Sequence, residues 1–464
     1  MPKGKLDPAQ LELTLHYVGL DKGLILAPNP KLVNGKWATQ TVVRKSLVEN
    51  IANQFKDSTY SPAQRFRSAV YEPIISTILA NLLNANNHGL QVIYSRNNLD
   101  GDNVYQWVSV WDFLESVGFI NNIVAGKNMR GVKSWAVALP ELVRLFDLHQ
   151  SKVTLSSEAV SVIVRDDEKK VMPVPKHRAH LLKYNRFTKS ANKFNNLWSG
   201  HTATLNNKPL IPFVQRTFKH SLELGGRFYG EYQRIPSKDR ANIKIDGCKT
   251  LEADYSSIHL AILYAWAGFQ LDYDEAYALD GFDRPTVKAV TLRALNVESI
   301  ATLYSSVALS AKPTNQRKYA NYKAARSVHD HRRINGLKSK APYKAKWIKS
   351  FIENVPANTN AKELVARILE KHHAISSYIG TPNLGLKLQA VDSEIMSVIL
   401  STLTAKNIPA LPVHDSIIFR AKDKDCALLA MNNSFRKVTE FKAHLECLGD
   451  GIKQADYELN LCLF

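Results

Sequence analysis

Apolar residues recur at helical spacing between residues 61 and 84, with Phe66, Val70, Ile74, Ile78 and Leu82 on one stripe. "LQVIYSR" (90–96) alternates instead, which predicts a strand. "SVWDFLESVGFI" (109–120) returns to the helical period. Val110, Phe113, Leu114 and Val117 form its face, Ser109 is the expected N-cap and Gly118 the expected stop. "NNIVAGKNMRGVKSWAVAL" (121–139) reads as two strands joined by a basic, glycine-bearing turn with Lys127, Arg130 and Lys133. Residues 150–215 read as a connector that holds one basic helix candidate, "KYNRFTKSANKFNNLW". Further on, "KTLEADYSSIHLAILYAWAG" (249–268) predicts a strand ending near Asp254 and then a helix. "DRPTVKAVTLRALN" (283–296) predicts a helix opened by Pro285, and "LGLKLQAVDSEIMSVILSTLTAKN" (384–407) a long amphipathic one. "IPALPVHDSIIFRA" then turns back through two strands. Residues 1 to about 58 show only short apolar groups.

A helix, a short helix and a basic hairpin is the order of a winged helix, which would lay helix 109–117 in a groove and the hairpin on phosphates. A small α+β packing domain with a solvated hairpin fits the same pattern. Charge favours the first. The chain carries 61 Lys and Arg against 42 Asp and Glu, a net +19 with pI near 9.5, which calls for a polyanionic partner. From Arg317 to Lys349 eleven basic residues face one acidic one, with Tyr319, Tyr322, Tyr343 and Trp347 interleaved. That mixture suits a nucleic-acid strand, and Arg332, Arg333 and Lys338 are candidate contacts. No secretory signal and no membrane-length apolar run appears, so a membrane partner is not expected. Four cysteines without paired spacing argue against a disulfide framework or a zinc site, and fit a cytoplasmic protein.

One pair of residues breaks the apolar pattern. His414 and Asp415 sit inside "LPVHDSIIF", where a carboxylate is costly unless something compensates it. Alone, this pair reads as a turn aspartate beside a core histidine. Asp254 changes that, because it ends another apolar strand. Two acids on neighbouring strands can hold two divalent cations, which clamp the attacking and leaving oxygens of a phosphoryl displacement. Mg2+, with Mn2+ as the alternative, takes carboxylates plus substrate phosphates.

Several segments resemble, in order, the family A nucleic-acid polymerases: DNA polymerase I and the single-subunit phage and mitochondrial RNA polymerases. "GGRFYGEYQRIPSKDRANIKIDGCKTLEADYSSIHLAILYA" (225–265) resembles the stretch from the family's Thr-Gly-Arg to its first metal motif. By that likeness Arg227 is the primer–template arginine, Gln233 and Pro236 belong to its "QNIP" element, Asp254 is a metal ligand and Tyr255 offers its backbone carbonyl. Arg284 and Lys288 carry the spacing of the triphosphate-binding fingers helix. Gln389 matches the palm-helix glutamine, and "VHDSIIF" matches the third motif, with His414 and the second metal ligand Asp415. The likeness covers about 225–420. It departs at three nucleotide-facing positions: His259 replaces the glutamate that guards against a 2′-hydroxyl, Leu292 the stacking aromatic and Asn296 the closing tyrosine. The N-terminal half shows no acid pair for proofreading. The variety also looks like a compact branch found on bacterial and phage mobile elements.

What the resemblance implies is an α+β right-hand polymerase. Residues 1–150 would be a winged-helix-like nucleic-acid-binding domain, 151–220 a connector or reduced thumb, and 221–464 a palm with a fingers insertion at about 268–380. The partners would be DNA template and primer, or RNA, and nucleoside triphosphates. The alternatives from other classes are a primase-like RNA polymerase, a template-independent nucleotidyltransferase and a catalytically inactive DNA-binding replication initiator.

Overall fold

The structure, a computed structural model, describes residues 31–33, 36–38, 41–62, 66–87, 91–94, 104–124, 134–152, 154–155, 160–168, 170–173, 175–334, 353–448 and 453–454. Helix and sheet are mixed. The chain divides into two compact units, one from residues 1–160, 207–211 and 324–343, the other from 161–206, 212–323 and 344–464.

In the first unit, helices Lys45–Lys56, Ser68–Asn87 and Val104–Ser116 bury a common core with a three-stranded antiparallel sheet. Strand Ser134–Ala138 is its middle, between Val92–Tyr94 and Ile120–Ile123. Phe55 is the centre of the core, its ring 5.1 Å from Tyr71 and 5.4 Å from Phe113. Two expectations change here. The first helical stripe starts at Ser68, with Phe66 packed before it rather than within it. Ser109 is not an N-cap: its helix begins at Val104, and the buried Ser109 hydroxyl donates to Gln106 O at 2.9 Å. That helix exposes Tyr105, Glu115 and Ser116, none of them basic. Lys127, Arg130 and Lys133 lie outside the described residues.

In the second unit, the stretch read as a connector is folded. Strand Val162–Arg165 pairs parallel with Gln215–Lys219, which pairs antiparallel with Ser221–Tyr229, and helix Arg178–Leu197 packs against this sheet. A second, antiparallel sheet runs Ala203–Leu205, Ile243–Ile245, Cys248–Tyr255, Ser416–Arg420, Ala410–Val413, with Leu445–Leu448 also paired to Cys248–Tyr255. Strand Cys248–Tyr255 buries Leu251, Ala253 and Tyr255 and turns Glu252 and Asp254 to its other face, as the period of two requires. Strand Ser416–Arg420 is buried at every position, so Ile417, Ile418 and Phe419 form a continuous apolar run. Each such side chain stabilises the sheet by about 1.5–3 kcal/mol. Helix Leu384–Ala405 packs on both strand Ser221–Tyr229 and helix Lys424–Thr439. Helices Arg284–Ala294, Ile300–Ala311, Pro313–Ile334 and Ala361–Lys371 fill the segment between the sheet and that helix in sequence.

Candidate active site

Residues 254 and 415 are far apart in sequence, and the sheet joins them. Val413 pairs with Ser416, which leaves His414 and Asp415 as a two-residue loop. Ser416 in turn lies opposite Asp254. Asp415 therefore stands at the strand end beside Asp254. His414 adopts φ 58°, the left-handed region that costs a non-glycine residue about 1–2 kcal/mol. Strain of this kind collects at sites where a side chain must be aimed.

The two acids on strand Cys248–Tyr255 are treated differently. Glu252 accepts two bonds from Arg240 (3.1 and 2.8 Å) and one from Ser416 Oγ (2.8 Å). Asp254 Oδ1 is buried with no hydrogen-bond partner. Burial, and next the charge of Asp415, push the Asp254 carboxyl up to about 7, against a backbone hydrogen bond at Tyr255; Glu252 and Glu446 add to the rise. A carboxylate pair with an unanswered buried oxygen is a donor set for a hard cation. Among the described residues no group of three or more His, Cys, Asp or Glu forms a cation cage. An ion here would complete its shell from water or phosphate, as Mg2+ usually does.

Beside the pair lies a second polar cluster centred on Asp392, which the sequence did not single out. Its side chain is 1% exposed and accepts from Arg227 Nε at 3.0 Å and Arg227 Nη2 at 2.5 Å. His259 Nε2 stands 2.8 Å from the same carboxylate. Arg227 Nη2 is also 3.2 Å from that His259 nitrogen. An N–H at Nε2 satisfies Asp392, so the imidazole is pinned by the acid rather than by the guanidinium. Burial lowers the Arg227 pKa, but the bonds and charge of Asp392, with Asp415 behind them, raise it above the ordinary arginine value. For His414, burial and then Arg227 lower the pKa, against Asp415 and Asp392. Its ring meets Tyr229 edge-on at 5.8 Å.

Arg227 is delivered by a glycine pair. Gly225 and Gly226 have φ 75° and 84°, and a Cβ on Gly226 would stand 2.4 Å from the Phe218 ring. Arg216, 1% exposed, locks the same bend. It donates to Gly226 O at 2.8 Å and Ser393 Oγ at 3.1 Å, and pairs with Glu394 at 3.2 Å. Phe187, Phe218 and Phe228 surround its guanidinium.

The other expected residues separate into two groups. Gln233 donates to Phe228 O (2.9 Å) and Pro412 O (2.7 Å), a brace behind the His414 turn. The Tyr255 side chain is buried, its hydroxyl donating to Met431 O at 2.6 Å. Gln389 is half-buried one turn before Asp392. Arg284 and Lys288 both lie over the Tyr277 ring, at 5.2 and 5.7 Å. Leu292 is exposed one turn further along that helix, and Asn296 donates to its carbonyl at 3.0 Å. Asn296 falls past the helix end and leans on Gly385, where a Cβ would come 2.2 Å from its Oδ1. The side chains of Arg332 and Arg333, and all of Lys338, lie outside the described residues.

No family model matches the chain, and no curated protein matches it. Among solved structures it is similar to the POL domain of Pol1 from M. smegmatis in complex with DNA primer-template and dNTP. Identity is 14%, over 88% of this chain and 66% of that one, with a TM-score of 0.27. A likeness that slight fixes neither fold nor activity. The chain spans just under two thirds of that domain. Among the described residues no helix is long and apolar enough to cross a membrane.

Proposed function

We propose that the chain is a template-directed nucleotidyltransferase, a family A-like DNA polymerase that adds nucleotides to a 3′-hydroxyl without proofreading. The observation that carries this reading is the meeting of Asp254 and Asp415 at adjoining strand ends, with one buried carboxylate oxygen left unanswered. Two Mg2+ ions held by these aspartates would supply charge neutralisation and a more nucleophilic 3′-oxygen. The chain's own residues do the positioning. Arg284 and Lys288, exposed one helical turn apart, take the triphosphate. Arg227 spends Nε and Nη2 on Asp392 and keeps Nη1 for a primer phosphate. Asp392 holds His259 in a single orientation beside the incoming sugar. In this reading strands Cys248–Tyr255 and Ser416–Arg420 belong to the palm, about 268–380 to the fingers, and residues 1–150 are a winged-helix-like binding domain.

The test is incorporation on a primed template with Mg2+, dNTPs and rNTPs run in parallel, comparing the natural chain with Asp415→Asn. Incorporation should fall by about a thousand-fold or more, the scale on which positioned charge contributes to catalysis. DNA affinity should stay within a few-fold. A parallel loss of DNA binding, or incorporation that survives the substitution, would overturn the metal-site reading.

A further inference from the structure

Tyr277 is 1% exposed and has no role in the scheme above, yet its ring meets the two cations assigned to the triphosphate. Its ring carries both Arg284 and Lys288, at 5.2 and 5.7 Å from the centroid. Neither cation has a carboxylate partner among the described residues. Two like charges gathered over one ring repel each other, and the ring's π-density is what offsets that repulsion. Its hydroxyl is buried without a hydrogen bond of ordinary geometry. Burial raises the Tyr277 pKa, against Ser257 and the charge of Arg284.

We propose that Tyr277 is a positioning residue for the nucleotide: its ring holds Arg284 and Lys288 ready for a triphosphate. The identity of the anion rests on the nucleotidyl-transfer reading; the pairing of two unneutralised cations on one aromatic ring does not. A ring that pre-places both charges removes the ordering cost of two long side chains from the binding step.

Isothermal titration of the full chain with Mg2+–dATP tests the ring directly, with melting temperatures taken alongside. Tyr277→Leu should weaken the triphosphate about ten-fold with DNA affinity unchanged. Tyr277→Phe, which keeps the π-face, should hold the affinity within about two-fold and melt at the same temperature or higher, because the hydroxyl it removes is buried without a partner. If Tyr277→Leu does not fold, phenylalanines of increasing fluorination at position 277 keep the shape and drain the π-face, and affinity should fall in step. Unchanged or tighter binding in the fluorinated series means the ring competes for the cations, and the proposal fails. It fails equally if Tyr277→Phe loses as much affinity as Tyr277→Leu, or if the natural chain binds no triphosphate. Triphosphate binding that follows the ring, without any incorporation, would sink the polymerase reading and leave this one standing.

Discussion

Asp254→Asn is expected to stabilise the protein at alkaline pH. In the unfolded chain the Asp254 carboxyl titrates at its ordinary 3.8; in the fold it is pushed up to about 7. Between those two values the folded state holds a proton that the unfolded state has released. Stability therefore falls as pH rises from about 4 to about 7, and the penalty is complete above 7. A shift of this size corresponds to about 4 kcal/mol at most, at about 1.4 kcal/mol per pH unit. Asparagine never charges, so above pH 7 the variant should gain up to that amount, less the cost of its amide in the same pocket. For a unit of this size a gain of about 2–4 kcal/mol is roughly 5–10 °C in melting temperature. The assay is a set of thermal melts from pH 4.5 to 8.5, each in EDTA and in Mg2+. In EDTA the two curves should converge near pH 4.5 and separate toward pH 8. In Mg2+ the natural chain should recover much of the difference, because a bound cation stabilises only the folded state. A variant less stable at every pH, or a difference that ignores both pH and Mg2+, would refute the claim that burial and the charge of Asp415 penalise the Asp254 carboxylate at this strand end.

Three other outcomes follow from the same geometry. Asp392→Asn strips the charge from a buried ion pair and should cost about 3 kcal/mol in urea unfolding, because it leaves Arg227 uncompensated. Gly226→Ala should cost about 2 kcal/mol or more by the same measurement, since both the backbone φ of 84° and the buried Phe218 ring oppose a Cβ. Filter-binding or anisotropy titrations should show DNA affinity falling steeply with salt, with a log–log slope of about −0.9 for each phosphate contacted; a flat line would remove the basic surface from the binding path.

Long periodic elements were legible in the sequence because their pattern repeats several times. Helices Arg284–Ala294 and Leu384–Ala405 and strand Cys248–Tyr255 fall within a few residues of their expected bounds. Asp254 and Asp415 were legible through the ordered motifs, because each breaks an apolar run. Asp392 was not, although it lies three residues past Gln389. One acid on an amphipathic helix carries no mark of a guanidinium 165 residues away. Tyr277 stayed hidden for the same reason: a lone aromatic between two predicted elements looks like ordinary core. Ser109 misled because a serine that back-bonds within a helix has the same neighbours in sequence as one that caps it. Strand Val162–Arg165 is too short to show a period, and only its parallel partner at Gln215–Lys219 defines it.

The hairpin that carries His414 and Asp415 has a consequence for biogenesis. Its pairing partner, strand Cys248–Tyr255, leaves the ribosome long before it does, and Arg227 waits equally long for Asp392. Until residue 420 has emerged, the nascent protein exposes an unpaired strand edge and an unneutralised arginine. High contact order of this kind slows folding and favours aggregation on the way. Fragments that stop short of the hairpin should therefore be chaperone clients.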